Sequence, residues 1–254
     1  SVQNEKVKSW KKLLTKKGRD QSKQFLVEGF HLVEEALKKD FVSAIIVGEK
    51  VEIPRTWNID GYELYSTTTA IVKELAETEN SQGIFAVCDK KQWNSKQYNK
   101  VLLLDGVQDP GNLGTIIRTC DWFGIHDIIC SHDTADCYNP KVVQATMGAL
   151  ARVRVHYIDL ADTLQQMREA DYPIYGTLLD GKDMYAPTAI PNRDKGVIVM
   201  GNEGNGISQK IRELVTHPLL IPSYPANLPT SESLNVSIAT AIVLAEFRRH
   251  NNNV

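Results

Sequence analysis

The sequence predicts two consecutive α/β units, a smaller one over residues 1–95 and a larger one over 96–254 with about six mostly parallel strands. Three observations carry this. Apolar runs of strand length alternate with helical periodicity along the chain of 254 residues. The polar stretch DKKQWNSKQYNK (89–100) breaks the alternation with the composition of an interdomain linker. The pattern then restarts with VLLLD (101–105), a continuous apolar run of the kind buried on both faces of a parallel sheet.

In chain order, a helix over 4–16 places Val7, Trp10, Leu13 and Leu14 on one side. FLVEG (25–29) reads as a short strand, and FHLVEEALKK (30–39) as a helix with Leu32, Val33, Ala36 and Leu37 inward. Strands at SAIIVG (43–48) and YELYS (62–66) precede a helix in TTTAIVKELAE (67–77), whose threonines suit a cap. The strand IFAVC (84–88) closes the first unit.

In the second unit, GVQDPGNLG (106–114) leads into a helix ending near Phe123, with Asn112 at the expected N-cap and Ile116, Ile117 and Cys120 on its apolar stripe. HDIIC (126–130) is a strand, and NPKVVQATMGAL (139–150) begins a helix with Asn139 as cap and Pro140 at its first position. RVRVHYI (152–158), ADTLQQMREAD (161–171) and PIYGTLL (173–179) continue as strand, helix and strand; GVIVM (196–200) and PLLI (218–221) are the last strands. The final helix, about Leu234 to Arg249, is apolar on nearly every face. It is expected to be buried all round, with a second subunit covering what the sheet does not.

Composition narrows the function classes. No run of about 18 uncharged apolar residues occurs, which argues against a transmembrane helix, and SVQNEKVKSWKK lacks the apolar segment and cleavage site of a secretory signal. The missing initiator Met points to N-terminal processing or a cloning remnant. Cys88, Cys120, Cys130 and Cys137 show no CxxC spacing and sit in or beside apolar segments, as reduced thiols of a cytoplasmic protein do. A metal site assembled from them with His126 and His132 is the alternative to that reading. The net charge of −2 does not announce a nucleic-acid binder, but its distribution is uneven. Residues 1–24 hold Lys6, Lys8, Lys11, Lys12, Lys16, Lys17, Arg19 and Lys23 against Glu5 and Asp20. Such an arm suits the phosphates of RNA or DNA, with Lys8, Lys12, Lys16 and Arg19 as candidate contacts; a solvated helix face produces the same pattern.

Chemistry concentrates in the last third. GNEGNG (201–206) follows a late strand and lacks GxGxxG spacing, so it is no dinucleotide fingerprint. Either its glycines serve turn geometry, or Gly201 admits a ligand to the backbone while Glu203 presents a carboxylate. Arg118 lies mid-helix, less than two turns from Asn112, so both can address one phosphate or sugar; a helix cap and a surface ion pair explain them equally. Ser231, Glu232, Ser233, Asn235 and Ser237 crowd the front of the last helix, where Ser and Asn are ordinary caps. No GxSxG elbow makes any of these serines a nucleophile.

Taken together, NLGTIIRT (112–119), VMGNEGNGI (199–207) and SLNVSIATAIVLAEFRR (233–249) resemble, in order and separation, the three motifs of SpoU-type (TrmH-like) RNA 2′-O-ribose methyltransferases of the trefoil-knotted SPOUT superfamily. Residues 1–95 resemble the L30e-like α/β/α substrate-binding domain of that family. The resemblance implies methyl transfer from S-adenosylmethionine to a ribose 2′-hydroxyl of RNA without a metal, in a homodimer joined through the C-terminal domain. It implies Arg118 as the catalytic arginine, completed by Asn112, Glu203, Ser233 and Asn235. Gly201, Ile221 and Leu234, with Thr177 and Leu178, would wall the donor. The loop PSYPANLPTSE between Ile221 and the last motif is longer than the family's common form. The rival readings are an inactive RNA-binding protein of the same fold, a nucleotide-dependent metabolic enzyme, or an RNA base methyltransferase. Ribosomal RNA, 23S rRNA in particular, is preferred over tRNA by family analogy only.

Overall fold

The computed structural model describes residues 2–93, 98–226 and 228–249 and divides the chain into two units, residues 1–92 with 136–151 and residues 93–135 with 152–254. The helix that follows Asn139, which the sequence pattern assigns to the second half, therefore belongs to the first unit. A periodic apolar face identifies a helix but does not say which core will receive it.

In the first unit, α1 (Val2–Lys12) and α2 (Lys16–Ser22) replace the single helix expected over 4–16. The break is local: Thr15 leaves helical geometry and caps α2 by accepting from Gly18 N at 3.1 Å. Then follow β1 (Gln24–Glu28), α3 (Phe30–Leu37), β2 (Val42–Gly48), β3 (Glu63–Thr67), α4 (Thr69–Leu75) and β4 (Ile84–Asp89). The sheet order is β1-β4-β2-β3, antiparallel except for the parallel β2–β3 pair. Alternating residues feed two cores. Phe25, Val27, Ile45, Ile84 and Ala86 pack with Leu32, Val33 and Ala36 of α3 and with Val143, while Leu26, Ala44, Ile46, Phe85 and Val87 pack with Trp10, Leu13, Val72 and Leu75.

The second unit begins with β5 (Lys100–Leu104), α5 (Pro110–Trp122) and β6 (Asp127–Cys130). The chain then contributes α6 (Pro140–Ala145) to the first unit and returns through β7 (Arg154–Tyr157), α7 (Leu160–Glu169), β8 (Ile174–Asp183), β9 (Gly196–Met200), α8 (Gln209–Arg212), β10 (His217–Leu220) and α9 (Val236–Arg249). Six strands pair in parallel in the order β10-β8-β9-β5-β6-β7. Val101, Leu103, Ile129, Val197 and Val199 bury one face against Leu160, Leu164 and Met167 of α7. On the other face α9 reaches the sheet, with Phe247 edge-on to Tyr175 at 4.9 Å, and α9 also packs on α5.

One expectation needs correction. Asp109, not Asn112, caps α5: its carboxylate accepts from Asn112 N at 2.8 Å, and Pro110 takes the first helical position. The far side of α9, which the sequence assigns to a second subunit, is open within the single chain. Val243, Leu244 and Phe247 are fully inside, but Ile238 is 53% exposed and Ala245 is exposed with it. Among the described residues no helix is long and apolar enough to cross a membrane.

Candidate active site

Three segments of the second unit meet at the C-terminal edge of its sheet: the loop after β5, the loop after β9, and the residues that enter α9. Each is shaped by a local requirement. After β5, Gly106 takes a φ of 77°, which turns the chain toward α5. After β9, Gly201 is needed for a different reason. A Cβ there would lie 2.2 Å from the carbonyl carbon of Gly206 and 2.3 Å from Ile207 N, because the loop folds back onto it. Two backbone hydrogen bonds between Asn202 and Gly206, of 2.9 and 3.0 Å, close that loop. The glycine thus first serves protein against protein. Asp105 adds a second tie, accepting from Ser208 N at 2.7 Å.

Glu203 is the hub. Its carboxylate accepts from Gln108 N at 3.1 Å, Asp109 N at 2.9 Å and Asn112 Nδ2 at 3.3 Å, all at the entrance to α5. Burial alone would raise this carboxyl. The backbone N–H groups of Asp109 and Gln108 and the Asn112 amide outweigh burial and hold it below the usual glutamate range. The positive end of the α5 dipole acts in the same sense.

The contacts continue from there. Asn235 Nδ2 donates to Asn112 Oδ1 at 2.9 Å, and Asn235 Oδ1 accepts from Ser237 N at 2.9 Å and Ser237 Oγ at 2.6 Å. Both ends fix the orientation of the two amides. A carboxylate can only accept, so it demands the nitrogen of Asn112; the start of α9 demands the oxygen of Asn235. Each amide keeps one N–H beyond these bonds. Residues from all three sequence motifs therefore join in one chain, Glu203 to Asn112 to Asn235.

Arg118 and Ser233 are not bonded into it. Arg118 lies on the exposed face of α5 with Thr115 and Trp122, and among the described residues it has no hydrogen-bond partner or counter-ion. Ser233 is exposed. Gly201 is buried, Thr177, Leu178 and Ile221 are half-buried, and Leu234 is 51% exposed. The Thr177 hydroxyl is turned toward Val199 O at 3.4 Å. The backbone N–H groups of Ile221 and Leu234 have no acceptor among the described residues. Apolar side chains beside unpaired donors fit a purine ring, which offers a flat apolar face and acceptor nitrogens at its edge.

In the first unit, Lys6 and Lys11 pair with Glu63 and Glu74, while Lys8, Lys12 and Lys16 are exposed. Arg19 departs from its expected role. It is 2% exposed, and its guanidinium is taken up by Asp136 Oδ2 at 2.9 Å and Leu13 O at 2.9 Å. A buried, neutralised cation supports the fold and does not meet a phosphate. Sequence reasoning also passed over Asp105, Asp109 and Asn202. The Asp-Pro pair at 109–110 carried a cap signal of the same kind as Asn-Pro at 139–140. The role of Asn202 had no local signal.

Comparison with known proteins bears on the whole chain. Residues 99–245 match the SpoU rRNA Methylase family, and residues 4–86 match an MRM3-like substrate binding domain. The 23S rRNA (guanosine(2553)-2′-O)-methyltransferase RlmP of Bacillus subtilis is 37% identical over 98% of both chains. A structure of a putative RNA methyltransferase of the TrmH family from Porphyromonas gingivalis aligns with a TM-score of 0.82 at 37% identity over 96% of each chain. The AdoMet-bound rRNA methyltransferase from Sinorhizobium meliloti aligns with a TM-score of 0.83 at 27% identity, covering 99% of this chain and 97% of that one. With its six-stranded parallel sheet, its three-motif polar chain and these likenesses, this chain belongs to the SpoU rRNA methylase family, the S-adenosylmethionine-dependent RNA 2′-O-ribose methyltransferases.

Proposed function

We propose that this protein methylates the ribose 2′-hydroxyl of a guanosine in 23S rRNA, in the cytoplasm, with the loops after β5 and β9 and the entrance to α9 as the site. The observation that carries the reading is the hydrogen-bonded chain from Glu203 through Asn112 to Asn235, with Arg118 on the exposed face of the same α5 and without an internal partner among the described residues. The named relative acts on a 23S rRNA guanosine, which supports that substrate.

S-adenosylmethionine, when bound, supplies an activated methyl group. Gly201, Ile221 and Leu234 would hold its adenosine, with Thr177 and Leu178 on the adjoining wall. The remaining demand falls on the weakly acidic 2′-hydroxyl. Glu203 is unsuited to take its proton: its oxygens are already engaged by N–H donors, and its carboxyl is held low. The carboxylate instead fixes Asn112, and through it Asn235, so that their remaining N–H groups orient the ribose. A guanidinium offers N–H donors and no acceptor, so Arg118 serves as a cation, not a base. It can grip the neighbouring RNA phosphate and stabilise charge developing on the attacking oxygen. Ser233, exposed beside Leu234, adds a hydroxyl at the rim.

The first unit serves as the RNA-binding part, through Lys8, Lys12 and Lys16. The exposed apolar residues Ile238 and Ala245 of α9, with Trp122 of α5 at 86% exposure, support a homodimer through the C-terminal unit. Mapping of 2′-O-methyl groups in rRNA and tRNA, with and without the gene, tests the function. Loss of one methylated guanosine in 23S rRNA is expected. An unchanged rRNA map, or a loss confined to tRNA, contradicts the assignment.

A further inference from the structure

Asn202 lies half-buried at the base of the loop after β9, and both ends of its carboxamide are engaged. Its Oδ1 accepts from Gly204 N at 2.9 Å and Asn205 N at 3.0 Å, satisfying two donors within the loop itself. Its Nδ2 donates across to Gly106 O at 2.7 Å and lies 3.4 Å from Glu203 Oε2. Gly106 is a firm anchor, because its own N–H is held by Ser131 Oγ at 2.9 Å. The backbone pairing of Asn202 with Gly206 and the Cβ-free packing of Gly201 leave the loop little room to rearrange.

We propose that Asn202 is a positioning residue for methyl transfer: its carboxamide clasps the loop after β9 to the loop after β5, and so holds Glu203 where it can receive Gln108 N, Asp109 N and the Asn112 amide. The proposal rests on the reading of that polar chain as the methyl-transfer site. Asn202 itself need touch neither RNA nor donor. Its effect passes through Glu203 to Asn112 and Asn235. The clasp needs one acceptor and one donor on the same planar group; a carboxamide offers both at neutral pH, whereas an ionised carboxylate of the same length offers only acceptors.

Two substitutions separate clasping from bulk. In Asn202→Ala the bonds at both ends of the carboxamide vanish, while the exposed Gly204 and Asn205 N–H groups can turn to water. In Asn202→Asp the acceptor for those N–H groups remains, but an ionised carboxylate cannot donate to Gly106 O and is set against the Glu203 carboxylate. Protonating the introduced carboxyl restores the donor.

The test uses the full-length protein, radiolabelled S-adenosylmethionine and 23S rRNA from cells lacking the gene, in single turnover. Asn202→Ala is expected to transfer about 10- to 100-fold more slowly, as displacement of an orienting group by a fraction of an ångström does. Asn202→Asp is expected to recover relative to the native protein as pH falls from about 8 to about 5, where carboxyl groups begin to protonate. Asn202→Ala recovers nothing over the same range. Amide hydrogen exchange supplies a readout independent of activity. In Asn202→Ala the amides of Gln108 and Asp109, which bond to Glu203 and not to Asn202, are expected to exchange faster. Native transfer rates in Asn202→Ala, a pH-independent ratio for Asn202→Asp, or unchanged protection at Gln108 and Asp109 would each overturn the proposal. If the native protein neither binds S-adenosylhomocysteine nor transfers methyl groups, the functional reading fails, and the exchange data still decide whether the clasp exists.

Discussion

The two units each contain a polar cluster that joins segments far apart in sequence, and the two clusters are built differently. In the first unit Arg19 meets Asp136 across 117 positions, at 2% and 13% side-chain exposure. The guanidinium also donates to Leu13 O, and Asp136 Oδ1 accepts from Tyr138 N at 3.0 Å. That cluster is closed, with charge matched and the guanidinium shut off from solvent. In the second unit Glu203, Asn112 and Asn235 also join distant segments, but the amides keep spare donors and Arg118, farther along α5, has no counter-ion among the described residues. A closed cluster can only support the fold. An open one has capacity left for a substrate.

This contrast can be broken most forcefully at Asp136. Asp136→Ala leaves a buried guanidinium without its carboxylate and is expected to cost about 3 kcal/mol or more of stability. Chemical denaturation measures it; a loss under about 1 kcal/mol would mean that the pair is not structural. At temperatures where the variant stays folded, S-adenosylhomocysteine should bind as to the native protein.

Asn235 sharpens the comparison from the open side, because it is both a helix cap and a link in the chain. Asn235→Ala is expected to lose about 1 kcal/mol with the cap, together with methyl transfer. Asn235→Asp keeps the oxygen that caps α9 and loses the donor to Asn112, so stability should survive while transfer falls. Equal behaviour of the two variants in denaturation would show that the cap contributes little.

For Glu203 the sign of the pH effect is decisive. Its folded value is depressed, so its anchoring is complete above the unfolded value of about 4.3 and is lost as pH falls through the lower folded value. No limb in the rate profile between about pH 6 and 8 should belong to it. If Glu203→Gln abolishes such a limb, the carboxylate is the base and the anchor account is wrong.

The smallest effect is expected at the exposed lysines. Replacing Lys8, Lys12 and Lys16 together by Gln should weaken RNA binding and make the slope of log affinity against log salt shallower by about 2, at roughly 0.7 per phosphate on single strands. Donor binding should not change. An unaltered slope would place the RNA elsewhere.

The strands were legible because buried parallel strands are continuous apolar runs, and the observed limits of β9, Gly196–Met200, coincide with the run GVIVM. Asn112, Glu203 and Asn235 were legible as motif residues, though their mutual bonding was not. What the sequence hid was tertiary. The partner of Arg19 lies 117 residues away, so in the sequence the arginine looks like one more exposed cation. Helix α6 shows a good cap and an apolar face, but nothing in its periodicity tells which core receives it. Gly201 reads as a turn glycine, whereas the requirement is the backbone of Gly206 and Ile207 pressed against it.

Arg118→Ala tests the central claim most directly, by single-turnover methyl transfer to 23S rRNA measured beside S-adenosylhomocysteine binding. A cation that stabilises charge on the attacking oxygen predicts a rate lower by about 10²-fold or more, with ligand affinity and thermal stability close to native. Native turnover in this variant would remove Arg118 from the mechanism and contradict the account.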